Sequence, residues 1–256
     1  MKKALLYLVL FAAIQILTSI ASMVIVKFIF PSLDPSSAVV LNWTSIASNI
    51  IAVALFLGFR WCPVSRNWVR ERQWLSFLWT ILLALGLILP LTWVMEQLPK
   101  SWTVNDIPQM EEMVKTTSGY FAIAMLAPLA EEIVFRGAII RALLNWRDNR
   151  WLAIIISALF FSAIHMNPAQ MPSAFVIGCL LGWIFVRTNS IALCCILHWI
   201  NNSSAYVIAN MFPTLPMDTP LVTYFGGNEI AVYQAVICSL MIALPSLYQL
   251  NRTLKK

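Results

Sequence analysis

Glu131, Glu132 and Arg136 stand inside an otherwise apolar stretch, and the chain's two histidines, His165 and His198, lie in two further apolar stretches downstream. A carboxylate or guanidinium at the centre of a bilayer costs about 2.5–3.5 kcal/mol on insertion scales, so charges there are paired, hydrated or put to use. Glu132 and Arg136 are spaced i, i+4 with the acid first, the favourable order for an ion pair on one helix. Glu131 is turned about 100° away and has no basic neighbour on its own helix, which makes it the carboxylate available to water. His198 and Asn202 repeat the i, i+4 spacing and present an imidazole and an amide on one face. Phe161 lies one turn before His165. A carboxylate, two imidazoles and an amide together could activate a water and bind the oxyanion formed at a carbonyl, which is the equipment for hydrolysing a peptide bond without a covalent intermediate.

These groups need a frame that holds them at one depth. The chain is 60% apolar and 11% charged, with a mean hydropathy of +0.79, a composition foreign to soluble domains. Apolar windows at 4–30, 38–59, 74–95, 118–144, 151–166, 171–187, 189–210 and 229–249 predict an all-α bundle of about eight transmembrane helices. The whole of 1–256 reads as one integral membrane domain, with residues 118–210 as its catalytic core. The fifth and sixth windows are short and are joined only by Asn167 to Gln170, so they predict a tight hairpin with its tip partly inside the membrane. The first window exceeds the usual ~7–15-residue core of a secretory signal and is read as a membrane helix. From the helix rise, Glu131 lies roughly 22 Å, His165 roughly 21 Å and His198 roughly 14 Å from the same end of the bundle.

Loop charge sets the orientation. With the N-terminus inside, Lys2, Lys3, Arg60, Arg66, Arg70, Arg72, Arg141, Arg147, Arg150, Arg187, Arg252, Lys255 and Lys256 all fall on the cytoplasmic side. Only Lys27, Lys100 and Lys115 fall outside, so both termini are predicted to be cytoplasmic. The formal charge of +6 is therefore a topology signal, with the basic loop 60–73 held against anionic lipid, and it does not point to nucleic acid. Trp61, Trp68, Trp74, Trp146 and Trp151 fit an inner aromatic belt, and Trp43, Trp93 and Trp102 an outer one. The five cysteines lack metal-ligand spacing, and four of them read as small apolar packers. Gly178 and Gly182 predict a close helix contact within the bundle, and Pro90, Pro128 and Pro245 predict kinks, with Pro128 freeing the carbonyl of Ala124.

Three ordered motifs resemble the CPBP family of intramembrane proteases, which includes CAAX prenyl endopeptidases and bacteriocin self-immunity proteins. Glu131-Glu132-Ile133-Val134-Phe135-Arg136 is similar to its EExxxR motif, Phe161-Ser162-Ala163-Ile164-His165 to its FxxxH, and His198-Trp199-Ile200-Asn201-Asn202 to its HxxxN. The resemblance covers 118–210 and implies Glu131 as general base with His165 as its partner, and His198 with Asn202 as oxyanion stabilisers. Glu132, Arg136 and Phe161 would be structural or assisting. It leaves two chemistries open: Zn²⁺ held by Glu131, His165 and His198, or a metal-free glutamate mechanism. It also implies a bacterial plasma-membrane protein whose substrate is a peptide or membrane protein, prenylated or not, with a cavity open to the cytoplasm or laterally to lipid. Two other classes use similar residues: a proton-coupled transporter, for which the chain lacks matched inverted halves, and a catalytically silent membrane adaptor.

Overall fold

The computed structural model describes residues 1–63, 74–99, 102 and 107–254. Arg66, Trp68, Arg70, Arg72, Lys100, Asp106, Lys255 and Lys256 lie outside the described residues. All eight apolar windows are helical: α1 Lys2–Ile29, α2 Ala38–Gly58, α3 Trp74–Glu96, α5 over residues 117–146, α6 Arg150–Ala163, α7 Met171–Thr188, α8 Ala192–Met211 and α10 Glu229–Thr253. Two short helices had no apolar run to announce them, α4 Ile107–Val114 and α9 Leu221–Tyr224. Six of the described helices have the length and composition to cross a membrane. The chain is thus an all-helical integral membrane protein.

Helix α6 has 14 residues and a length of about 21 Å, too short to cross ~30 Å of hydrocarbon alone. It ends at Ala163, three residues before the predicted end, and packs against α7 as the predicted hairpin. The small residues make that pairing close. A Cβ on Gly178 would stand 3.1 Å from Ala158 of α6, and one on Gly182 would stand 3.2 Å from Ile154 of α6 and 3.4 Å from Ile140 of α5. Gly178 and Gly182 therefore serve contacts inside the bundle. Helices α3 and α10 run on through Pro90 and Pro245, and Gly86 lets their backbones meet, since a Cβ there would stand 2.8 Å from the Ala243 nitrogen.

Polar contacts define two ends. At one, Arg141 donates to the Pro63 carbonyl at 3.3 Å and to Asn189 Oδ1 at 3.0 Å, while Arg187 donates to the Asn251 carbonyl at 2.9 Å. Among the described residues, this basic end collects those predicted to be cytoplasmic, and Trp74, Trp146 and Trp151 are exposed there. At the other end, buried Asn42 donates to Thr116 Oγ1 at 2.8 Å, Glu96 accepts from the Leu221 backbone at 2.6 Å, and Glu111 accepts from the Met217 backbone. Among the described residues that end carries Asp34, Glu96, Glu111, Glu112, Asp218 and Glu229 against Lys27 and Lys115.

Cys62 tucks the start of the basic loop onto α5. It is fully buried, and a Cβ on Gly137 would stand 2.0 Å from its sulfur. Gly137→Ala is expected to cost about 1–3 kcal/mol through overpacking. A lowered unfolding temperature in detergent, largely recovered in Gly137→Ala with Cys62→Ala, would check this.

Candidate active site

Helix α5 places the acidic residues, and it is not a uniform α-helix. Residues Tyr120–Leu126 and Glu132–Ile140 are π-helical, and right-handed helical dihedrals at Leu126, Glu131 and Ile140 keep the helix continuous across the joins. π segments are rare and concentrate at functional sites. Their cause here is partly local. The Ala127 nitrogen donates to the Ala122 carbonyl, five residues back, so in that register the donor for Ile123 would be residue 128, which is a proline. The freed carbonyl that gains a new partner is therefore Ile123, not Ala124 as an α-helical count predicts. Asn202 Nδ2 donates to it at 3.0 Å, tying α8 to α5.

Glu132 and Arg136 form the expected ion pair, Nη1 to Oε1 at 2.9 Å, with both side chains fully buried. The guanidinium does more than neutralise Glu132. Its Nη2 donates to the Gly178 carbonyl at 3.3 Å, and it lies over the Phe161 ring at 4.6 Å, so one cation anchors α5, α6 and α7. Glu132 in turn accepts from His198 Nδ1 at 2.9 Å through the same oxygen. A carboxylate accepts only, so this bond puts the proton of His198 on Nδ1 and leaves Nε2 as the nitrogen facing outward. That nitrogen stands 3.7 Å from Glu131 Oε2.

The two adjacent glutamates therefore have different surroundings. The Glu131 side chain is 18% exposed while Glu132 is fully buried; Oε2 of each has no hydrogen-bond partner among the described residues, but only Glu131 is within reach of solvent. A buried acceptor without a protein partner is directed at water or a ligand. Two carboxylates, one orienting the imidazole and one facing its free nitrogen, make a line from Arg136 through Glu132 and His198 to Glu131.

His165 sits just beyond the end of α6, where its Nδ1 bonds the Phe161 carbonyl at 2.8 Å. Phe161 meets both imidazoles edge-on, His165 at 5.0 Å and His198 at 5.5 Å between ring centroids. The family resemblance makes His165 the partner of Glu131; in the structure the imidazole facing Glu131 is that of His198. The reason is packing: Phe161 contacts both histidines, and the backbone of α6 holds His165. Asn202 Oδ1 accepts from Asn201 at 3.2 Å, so with Nδ2 on Ile123 the amide keeps one hydrogen for another acceptor.

Among the described residues, no three or more His, Cys, Asp or Glu side chains are placed to hold a metal ion together. Each histidine has only Nε2 left for coordination, and Glu131, His165 and His198 do not converge. The donor set as arranged does not fit Zn²⁺, and no step below is routed through a metal.

The shared use of Glu132 by Arg136 and His198 was not legible in the sequence, where i, i+4 spacing suggested a self-contained pair. Tyr120 was also missed. Its hydroxyl accepts from Trp199 Nε1 at 3.0 Å, adding a second clasp between α5 and α8. Only tertiary rotation of the helices reveals either contact.

Residues 114–204 match the family described as Type II CAAX prenyl endopeptidase Rce1-like, and they include every side chain described above. The membrane-embedded CAAX protease MroQ of Staphylococcus aureus (strain USA300) is 31% identical over 98 residues, a match taking in 36% of this chain and 40% of that protein. The match thus spans less than half the length of that relative. No solved structure matches the chain. The matched segment carries all three motifs on the helices that build the site, and over those residues the chain is similar to CAAX-type intramembrane proteases.

Proposed function

We propose that this protein is an intramembrane endopeptidase of a bacterial membrane that hydrolyses peptide bonds with water activated by Glu131. The observation that carries the reading is the unpartnered Glu131 Oε2 at 3.7 Å from His198 Nε2, with His198 oriented from behind by Glu132. A water held by Glu131 attacks the scissile carbonyl carbon as the carboxylate takes one of its protons. The developing oxyanion is met by the remaining amide hydrogen of Asn202, beside the His198 ring that Glu132 holds in place. The C–N bond then breaks, and the proton on Glu131 passes to the leaving nitrogen. Phe161 and Arg136 keep this pocket dry and fixed in shape. His165 lines the same pocket across Phe161 and supplies its Nε2 to the substrate or to water.

The substrate class is a peptide or membrane protein, and the name of the relative motivates including prenylated C-terminal peptides in the test. Purified protein in nanodiscs is expected to cleave members of a quenched membrane-peptide library, presented prenylated and unprenylated. No cleavage across both sets would contradict the proposal and favour a carrier or adaptor.

Two further results follow from the geometry. Asn202→Asp removes the donor from both Ile123 and the oxyanion, and is expected to lower kcat by roughly 10²-fold, the lower range for losing one oxyanion donor. Cleavage is expected to persist after chelation and dialysis; loss of activity together with stoichiometric zinc, followed by elemental analysis, would contradict the metal-free mechanism.

A further inference from the structure

We propose that water and substrate reach Glu131 and His198 from the acid-rich end of the bundle, the end opposite the basic loops. For the identity of the substrate this rests on the proteolytic reading; the direction of access does not.

Between the site and the basic end the helices are fully packed. Phe135, Ile139, Ile140, Leu143, Leu193 and Leu197 are each at most 1% exposed, and residues 132–140 of α5 are buried without exception. From Glu132 to the Arg141–Asn189 contact this plug is roughly 14 Å deep by helix rise. Interiors packed in this way leave no passage for a polypeptide or a water chain.

On the other side the pattern reverses. Residues 200–206 of α8 are all partly exposed, and they include Asn201, Asn202, Ser203 and Ser204. The hairpin tip carries His165, Asn167 and Gln170, all partly exposed, and Met166 is 87% exposed. Gln170 reaches Met110 of α4, so the tip ends against the acid-rich end. Asn201 to Ser204 spread polar side chains around this turn of α8, and polar groups are costly against lipid, so their exposed parts meet water or a polar chain. The Glu131 side chain is 18% exposed and precedes the packed run 132–140, and the amides of α8 offer donors and acceptors to the backbone of an extended peptide. Of the two openings the resemblance implies, to the cytoplasm or laterally to lipid, this route keeps the lateral one: with the basic end cytoplasmic, substrates are peptide segments offered at the outer face or entering laterally above the α6–α7 hairpin.

Accessibility of an introduced thiol to a membrane-impermeant maleimide tests this without relying on catalysis. Glu131→Cys and Ser203→Cys are labelled in right-side-out and inside-out membranes, with labelling of the native cysteines subtracted. Asp148→Cys marks the basic face and Asp218→Cys the acid-rich face. Both test positions are expected to label at least 10-fold faster from the face that labels position 218. Faster labelling from the face of position 148, equal labelling from both, or none from either would overturn the proposal. Should Glu131→Cys fail to fold, Ser203→Cys decides alone. A wild-type protein that labels as expected yet cleaves no peptide would count against the protease reading and leave the access route standing.

Discussion

Glu131→Gln is expected to abolish peptide cleavage, with kcat reduced by roughly 10²–10⁴-fold, while the unfolding temperature stays close to that of the wild type. The amide keeps the shape of the carboxylate but cannot take a proton from water. Stability is spared because, among the described residues, Glu131 has no basic partner on its own helix and meets His198 only at 3.7 Å. The matched change Glu132→Gln separates the two acids. There the lost charge lies behind the imidazole, so the expected result combines weaker catalysis with lower stability. Equal behaviour of the two variants would contradict the division of labour between them.

Arg136→Leu is expected to be the most destabilising single change in the core. Removing one partner of a buried ion pair typically costs 3–5 kcal/mol, because the remaining charge is left uncompensated. Arg136 is fully buried and also holds the Gly178 carbonyl and the Phe161 ring, so its loss loosens the α5–α6–α7 contact as well. Adding Glu132→Gln should restore most of the stability, since no unpaired charge then remains and the Gln carbonyl still accepts from His198 Nδ1. Thermal unfolding of the single and double variants in detergent measures this. A double variant no more stable than Arg136→Leu would show that packing, not charge, dominates the loss.

Hydropathy made the bundle legible, because a bilayer admits few solutions for long apolar runs and each of the eight windows became a helix. The Gly178 and Gly182 spacing was equally direct, since it depends on residues read one at a time. The two π segments of α5 were not. The first ends just before Pro128, where Asn202 of α8 takes the freed Ile123 carbonyl, and no periodicity in 118–144 encodes that joint effect. Helix α4 was missed for another reason: at eight residues, with Glu111 and Glu112 among them, it has no apolar run to detect. At the site, residue types and spacing identified Glu131, Glu132, Arg136, His198 and Asn202. What they touch depends on how three helices are rotated. The bond from Glu132 to His198 and the screen of Phe161 between the histidines are consequences of that rotation.

The central claim is direct attack by water on the scissile carbonyl. Rapid-quench cleavage in ¹⁸O-labelled water, read by intact mass of both enzyme and product, tests it most directly. One ¹⁸O in the new C-terminal carboxylate, with the enzyme mass unchanged throughout the turnover, is the predicted result. A substrate-derived mass increment on the enzyme that rises and decays with turnover would reveal a covalent intermediate and contradict it.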